Sequence, residues 1–153
     1  MIKRSDKRGF TLVELIIVVA TFAILGAISI PTFQGFLAQR RLNGTARELH
    51  GDLMAMRMQA VTENRWIALN VDNNNHYTIF RDTNQNGTLD SGETLVVRDL
   101  HPAYYDVNFD TGASATGVTF RPNGTGSTAT LRLTGSTGAK TITVTSNGRV
   151  KIN

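Results

Sequence analysis

The chain has no cysteine among its 153 residues, so neither a disulfide framework nor a thiolate metal site is open to it. Any domain it forms has to hold together through its core alone. Its three histidines, His50, His76 and His101, show no HxxxH or HExxH spacing, and the sequence contains no G-x-S-x-G elbow and no phosphate loop. Each lone histidine reads as a surface or internally bonded residue, so no enzyme is expected. Excess charge is scarce too. The formal net charge is +4, but the first nine residues hold four cations (Lys3, Arg4, Lys7, Arg8) against Asp6, which leaves +1 for the remainder. General basicity therefore makes no case for a nucleic-acid partner; such a case has to rest on a local patch.

What the sequence does have is one long apolar run. Residues 10–30, FTLVELIIVVATFAILGAISI, carry a single charge, Glu14. As a helix rising about 1.5 Å per residue, the run reaches roughly 30 Å, the thickness of a bilayer's hydrocarbon core. The cationic stretch before it predicts an amino end kept in the cytoplasm and a carboxy-terminal part sent outward; Arg40 and Arg41 compete from the far side but are fewer and more distant. Ordinary secretion is not the expectation. A secretory signal has its small-residue cleavage site after the apolar run, whereas here Gly9 stands before it and no Ala-x-Ala follows Ile30. Glu14 also needs a reason, because a charged side chain at the centre of a membrane helix costs about 2.5 to 3.5 kcal/mol, and less near an end.

Gly9-Phe10-Thr11-Leu12-Val13-Glu14, followed by the apolar run and Pro31, closely resembles the prepilin signature of type IV pilins and type II secretion pseudopilins. The resemblance implies a bacterial inner-membrane protein whose leader, residues 1–9, is removed by a prepilin peptidase. It further implies cleavage between Gly9 and Phe10 and methylation of the new Phe10 amine. An inner-membrane assembly platform would then pass the subunit into a helical filament of other pilins or pseudopilins. Glu14 is then the acid that pairs with a neighbouring subunit's amino terminus, a pairing favoured where an unpaired charge would be buried in a low dielectric. The alternative is a Glu14 that snorkels to the headgroups or stays protonated.

Beyond the apolar run, Leu42, Ala46, Leu49, Leu53, Met56 and Ala60 recur at spacings of three and four, one apolar face of a helix. The sequence predicts a single helix from Phe10 to about Thr62, bent near Pro31 and loosened at Gly35 and Gly44. Residues 10–31 form its membrane or filament-core half and 32–64 its amphipathic half. Met54, Met56 and Met58 read as gap-filling core residues rather than metal ligands.

After Asn64 the period changes to short alternating runs between turn residues, predicting strands at 66–71, 76–81, 94–99, 104–109, 118–121, 129–133, 140–145 and 149–152. In the seventh, Ile142 and Val144 alternate with Thr141, Thr143 and Thr145, as in a sheet with one covered face. Asn147-Gly148 signals a two-residue hairpin, and Arg121-Pro122-Asn123-Gly124 and Gly135-Ser136-Thr137-Gly138 are turns. The expected fold class is α+β: the long helix laid on antiparallel sheet from residues 65–153, as two small sheets.

Arg57-Met58-Gln59-Ala60, Phe80-Arg81-Asp82 before an Asn/Gly loop, Val118-Thr119-Phe120-Arg121-Pro122-Asn123-Gly124 and Asn147-Gly148-Arg149-Val150 are similar to the GspH/FimT group of minor pilins and pseudopilins. That resemblance implies a helix packed on a β-sandwich and a place at or near the tip of a pilus or pseudopilus, where the subunit initiates assembly. Some FimT-like members are competence pilins with a basic carboxy-terminal segment. Arg149 and Lys151, joined by Arg132 or Lys140, are the residues with which this chain would bind DNA. Without interleaved aromatics they form a small footprint, and a solvated strand face is the competing reading.

The loop from Asp82 to Glu93 fits the twelve-residue calcium pattern: Asp82, Asn84, Asn86 and Asp90 at positions 1, 3, 5 and 9, Gly87 at 6, Thr88 at 7 and Glu93 at 12. Its flanks read as strands, where an EF-hand requires helices, and Asn and Gly also build long hairpin loops without an ion. Both readings, a calcium site and a solvated hairpin loop, stand at this point. The Asn-Gly-Thr sequons at Asn43, Asn86 and Asn123 read as turn dipeptides rather than glycan acceptors.

Overall fold

The computed structural model describes residues 9–153, so the leader cations at positions 3 to 8 lie outside the described residues. The chain divides into two compact units at the Phe36/Leu37 boundary, and helix α1 (Leu12–Glu63) continues from one into the other through Pro31, Gly35 and Gly44.

In the first unit α1 is apolar all round. Large side chains such as Leu12, Phe22, Ile28 and Phe33 are more than 60% exposed, and by length and composition the helix can cross a membrane. Two of its hydroxyls are satisfied within the helix, Thr21 donating to the Ile17 carbonyl at 2.8 Å and Thr32 to that of Ile28 at 3.1 Å. Such local bonding keeps polar groups tolerable where no water is available.

In the second unit the 37–63 part of α1 buries the predicted stripe: Leu42, Ala46, Leu49, Leu53, Met56 and Ala60 are all at most 1% exposed, and Ala38, one turn earlier, extends it at 5%. Asn64, at φ 52°, ends the helix, with the Arg65 N–H returning to the Ala60 carbonyl at 3.1 Å. Eight strands follow, β1 (Ile67–Val71), β2 (His76–Arg81), β3 (Thr94–Asp99), β4 (Asn108–Phe109), β5 (Gly117–Phe120), β6 (Ala129–Gly135), β7 (Gly138–Val144) and β8 (Val150–Ile152), with a short helix α2 (His101–Tyr104) between β3 and β4. They form two four-stranded antiparallel sheets, in the orders β3-β2-β1-β5 and β4-β6-β7-β8. Tyr77, Phe120, Leu69, Leu131, Leu133 and Ile142 from both sheets join the helix stripe in one core. This is the expected α+β architecture.

Three details depart from the sequence reading. Only residues 108–109 of the expected 104–109 strand are extended. Asp99 accepts the His101 N–H at 2.9 Å, Pro102 suits the first turn of α2, and Tyr104 packs against Gly44, where an added Cβ would lie 3.0 Å from its ring. Gly44 therefore makes room for a neighbour instead of loosening the helix, and Asn43-Gly44 is no turn. Of the three methionines only Met56 is in the core. Met54 and Met58 are 41% and 68% exposed, because residues four apart share a face and theirs points away from the stripe. Lastly, the Asn147-Gly148 turn is a three-residue loop: the Thr145 N–H reaches the Arg149 carbonyl, the Gly148 N–H reaches that of Thr145, and only the glycine is left-handed.

Candidate functional site

The features that carry chemistry fall separately into the two units. In the first, Thr11 and Glu14 form a reciprocal cap. The Glu14 N–H donates to Thr11 Oγ1 at 3.2 Å, and the Thr11 N–H donates to Glu14 Oε2 at 3.3 Å. Two helix-end donors are thereby satisfied. The spacing Thr-x-x-Glu was visible in the sequence and signals this cap directly. Glu14 remains solvent-exposed on an otherwise apolar helix, five residues past Gly9 and four past Phe10.

The second unit is tied together by ion pairs that periodicity does not reveal. Arg41 makes a bidentate pair with Asp106 at 2.6 and 2.9 Å, with Tyr105 at 4.6 Å from the guanidinium and the Ser136 hydroxyl on the same carboxylate. The Arg41 hydrogen bond holds the Asp106 carboxyl below the usual range. Asp52 accepts from the buried Tyr77 hydroxyl at 2.7 Å and from Arg98 at 3.2 Å, while Glu63 accepts from Arg81 at 3.0 Å. Each pair bolts α1 to a strand or loop. Burial, then the Asp52 hydrogen bond, raises the Tyr77 phenol.

Arg57 does more. Its Nε donates to the Gly124 carbonyl at 2.9 Å and Nη2 to that of Asn147 at 3.4 Å. The helix motif and the two turn motifs, far apart in sequence, thus meet at one guanidinium. Gly148 is buried in this contact at φ 75°; a Cβ there would lie 2.1 Å from the Gly124 oxygen. Nearby, the outward face of the helix at Gly51, Met54, Ala55, Met58 and Val61 borders an apolar depression of about 640 Å³ beside Asn123 and Gly124.

The basic residues do not all gather. Arg132 pairs in register with Thr141, and Thr143 with Lys151, so Arg132, Lys151 and, by alternation, Arg149 share the outer face of the second sheet with those threonines. Lys140 sits opposite the buried Leu133 and so belongs to the other face. Strand parity removes it from the set. Arg132 is further engaged by Asp110 at 3.6 Å.

The loop after β2 is internally bonded. Asp82 is 2% exposed and accepts the N–H groups of Asn86 and Gly87, each at 3.0 Å. Asn84 and Asn86 turn their amide nitrogens onto Asp90 Oδ2 at 2.8 and 2.9 Å, and Asn86 Oδ1 accepts the Thr88 N–H at 2.7 Å. Glu93 accepts from the N–H groups of Thr83 and Asp90. Among the described residues no three His, Asp or Glu side chains are arranged to hold a metal ion. His76 and His101 come nearer than their sequence positions suggest: His76 Nε2 is 3.4 Å from Asp99, which also takes the His101 N–H, while the His101 ring turns to Asn108. Asp99 is held low chiefly by that backbone bond. His50 stays on α1.

Comparison with known proteins agrees with this geometry. The family model described as Type II transport protein GspH matches residues 45–148, and that of the prokaryotic N-terminal methylation motif matches residues 4–30. The chain is 28% identical to the pilin-like protein PilA1 of Thermus thermophilus over 157 residues, spanning 95% of this chain and 98% of that one. The type IV major fimbrial protein FimA of Dichelobacter nodosus is 44% identical over 45 residues, 29% of each chain. Among solved structures, the type IV minor pilin FimU of Pseudomonas aeruginosa superposes with a TM-score of 0.57 at 22% identity, over 77% of this chain and 92% of that one. The minor pseudopilin EpsH of the Vibrio cholerae type 2 secretion system does so at 0.54 and 14%, over 74% and 96%. At these identities the likeness to the solved structures is one of fold.

Proposed function

The chain belongs to the GspH family of type II transport proteins, and from that premise we propose that it initiates filament assembly or caps the tip of a type IV pilus or secretion pseudopilus. It is a structural subunit of the minor pilin or pseudopilin kind, not an enzyme. The observation that carries the proposal is the split between a bare apolar helix with one acid and a β domain in which, among the described residues, every buried side-chain polar atom has a hydrogen-bond partner. A helix exposing this much apolar surface needs either lipid or other helices around it. The domain, in contrast, needs no partner to complete its core. FimU and EpsH are both minor subunits by name, which supports a place at the end of a filament over its shaft.

In this reading the cytoplasmic leader is cut after Gly9 by a prepilin peptidase, Phe10 becomes the methylated amino terminus, and Glu14 exchanges its cap on Thr11 for a neighbour's amine. The assembly platform then draws the helix from the inner membrane, leaving the β domain outside the cytoplasm. Mass spectrometry of the protein from its native host tests the first step. The expected amino terminus is methylated Phe10, whereas a chain beginning at Met1 removes the reading.

A second reading has its own observation. Arg132, Arg149 and Lys151 share one sheet face with the hydroxyls of Thr141 and Thr143, and hydroxyls beside cations are what DNA phosphates accept bonds from. Under this reading the subunit serves a competence pilus and holds DNA there. A gel shift at about 50 and 200 mM salt discriminates, since phosphate-driven binding falls steeply over that range. Retardation at low salt that is lost in Arg149→Ala/Lys151→Ala supports DNA; no retardation at low salt removes it.

A further inference from the structure

The chain carries four Asn-Gly dipeptides, at Asn43, Asn86, Asn123 and Asn147. Such a pair is chemically reactive, because a glycine without a Cβ lets its amide nitrogen close on the preceding carboxamide carbon. Asn43-Gly44 lies within α1, where the helix holds its backbone. The other three share one local geometry. Gly87, Gly124 and Gly148 stand at φ 73°, 77° and 75°. In each turn the Asn Oδ1 accepts the N–H two residues on, that of Thr88 at 2.7 Å, Thr125 at 3.1 Å and Arg149 at 3.1 Å. This bond closes a ring that folds the carboxamide back over the glycine nitrogen.

What separates the three is the group that accepts the glycine N–H. At Gly124 and Gly148 it is a backbone carbonyl, of Arg121 at 2.9 Å and of Thr145 at 2.8 Å. A carbonyl holds the proton in place but does not remove it. At Gly87 the acceptor is the Asp82 carboxylate, Oδ2, at 3.0 Å, a general base within hydrogen-bond reach of the nitrogen that would attack. The carboxamide is set up as well. Asp90 Oδ2 takes the Asn86 Nδ2 donor at 2.9 Å, which fixes the oxygen toward the Thr88 N–H, where negative charge would develop. Gly87 is exposed, with nothing within 4 Å of its Cβ position, whereas Gly124 and Gly148 are buried.

We propose that Asp82 makes Asn86-Gly87 a site of self-catalysed deamidation. The Gly87 nitrogen forms a bond to Asn86 Cγ while its proton passes to the Asp82 carboxylate. The Cγ–Nδ2 bond then breaks, and the departing nitrogen takes up that proton and leaves as ammonia. A five-membered succinimide remains, with the Asp82 carboxylate restored. Water opens the ring at either carbonyl, giving aspartate or isoaspartate at position 86. The new carboxylate replaces the amide that donated to Asp90, so a hydrogen bond gives way to repulsion between like charges and the loop loosens.

The test incubates the full-length protein in detergent at neutral pH and follows the three turns by peptide mapping in the mass spectrometer, with Asn123 and Asn147 as internal references. A positioned base contributes about 100-fold or more, so Asn86 should convert at least about tenfold faster than either reference. Mobility of an exposed loop would favour Asn86 too, and Asp82→Asn separates the two causes. Removing the carboxylate loosens the loop, so mobility alone would speed the reaction, whereas loss of the base should slow it about tenfold or more. Unfolding in urea makes the same separation without a variant, because it breaks the Asp82 contact. The Asn86 rate should then fall while the two reference rates rise to meet it. Equal rates in the folded protein, an Asp82→Asn variant as fast as wild type or faster, or an Asn86 rate that does not fall in urea overturns the proposal.

Discussion

The two units solve the problem of polar groups in opposite ways. Residues 37–153 keep several charges and neutralise them at home: Arg41 with Asp106, Asp52 with Tyr77 and Arg98, Glu63 with Arg81, and Arg57 on two carbonyls. Residues 12–36 discard every charge but one, and Glu14 is held only by a local cap at 3.2 to 3.4 Å. The first arrangement is complete within the chain. The second leaves its apolar surface uncovered within the chain, and under the proposed function Glu14 takes its cation from a neighbouring subunit, so one unit is a fold and the other is proposed to be a connector.

Replacing Glu14 by Ala should break that contrast most sharply. If Glu14 pairs with a neighbour's amine as proposed, loss of the acid leaves that amine unpaired in a low-dielectric interior, and removing one partner of a buried ion pair costs about 3 to 5 kcal/mol. Incorporation into filaments, measured on sheared fractions, should fall by roughly a hundredfold or more on that scale. The melting temperature of the β domain should not move. Normal incorporation would sink the connector reading; a falling melting temperature would show that the acid serves the fold.

Gly148→Ala strikes the other unit. Its Cβ would lie 2.1 Å from the Gly124 oxygen and 2.8 Å from Arg57 Nε, at a φ that favours glycine. Backbone strain and overpacking together should cost about 3 kcal/mol in chemical denaturation, with Arg57→Ala costing about 1 to 2. If Gly148→Ala folds with wild-type stability, the three-motif junction around Arg57 is not the fastening described.

The Arg41–Asp106 pair sharpens the comparison through pH. Arg41 depresses the folded Asp106 carboxyl below its unfolded value, so its stabilising contribution is fully present above about pH 4 and is lost as pH falls through the folded value. The stability gap between wild type and Asp106→Asn, followed by thermal melts, should therefore be widest near neutrality and close progressively on acidification below pH 4. A gap that does not change between pH 7 and 3 would mean that the pair is not what α1 gains there.

What could be read in advance follows the same division. Period and turn chemistry exposed the helix stripe and seven of eight strands, and resemblance to a family motif marked Gly9–Glu14, because each is a local pattern. The roles of Arg57 and Arg41 were not legible, since their partners lie tens of residues away and a lone arginine on a helix looks the same whether solvated or fastening a turn. The strand expected at 104–109 is cut to residues 108–109 for a related reason: Gly44 and Arg41, on a different element, hold Tyr104 and Asp106 in place.

The loop from Asp82 to Glu93 gives the smallest expected effect and the finest test of self-sufficiency. Position by position it matches a calcium loop, yet here its carboxylates hold backbone N–H groups, and the amide nitrogens of Asn84 and Asn86 occupy Asp90. To bind calcium, both amides would have to rotate their oxygens inward and give up those bonds, and the flanking strands offer no helix to reorganise. With the carboxylates and carboxamides of the loop already spent on the loop itself, calcium has to repay those bonds before it gains any. Millimolar calcium should thus leave the melting temperature of the full-length protein within about 1 °C of its value in chelator, because a site filled to 100 times its dissociation constant would add about 2.7 kcal/mol and shift it by several degrees. A rise of several degrees, reversed by chelator, would transfer this loop from the self-contained account to one that depends on a ligand, as the apolar helix depends on its neighbours.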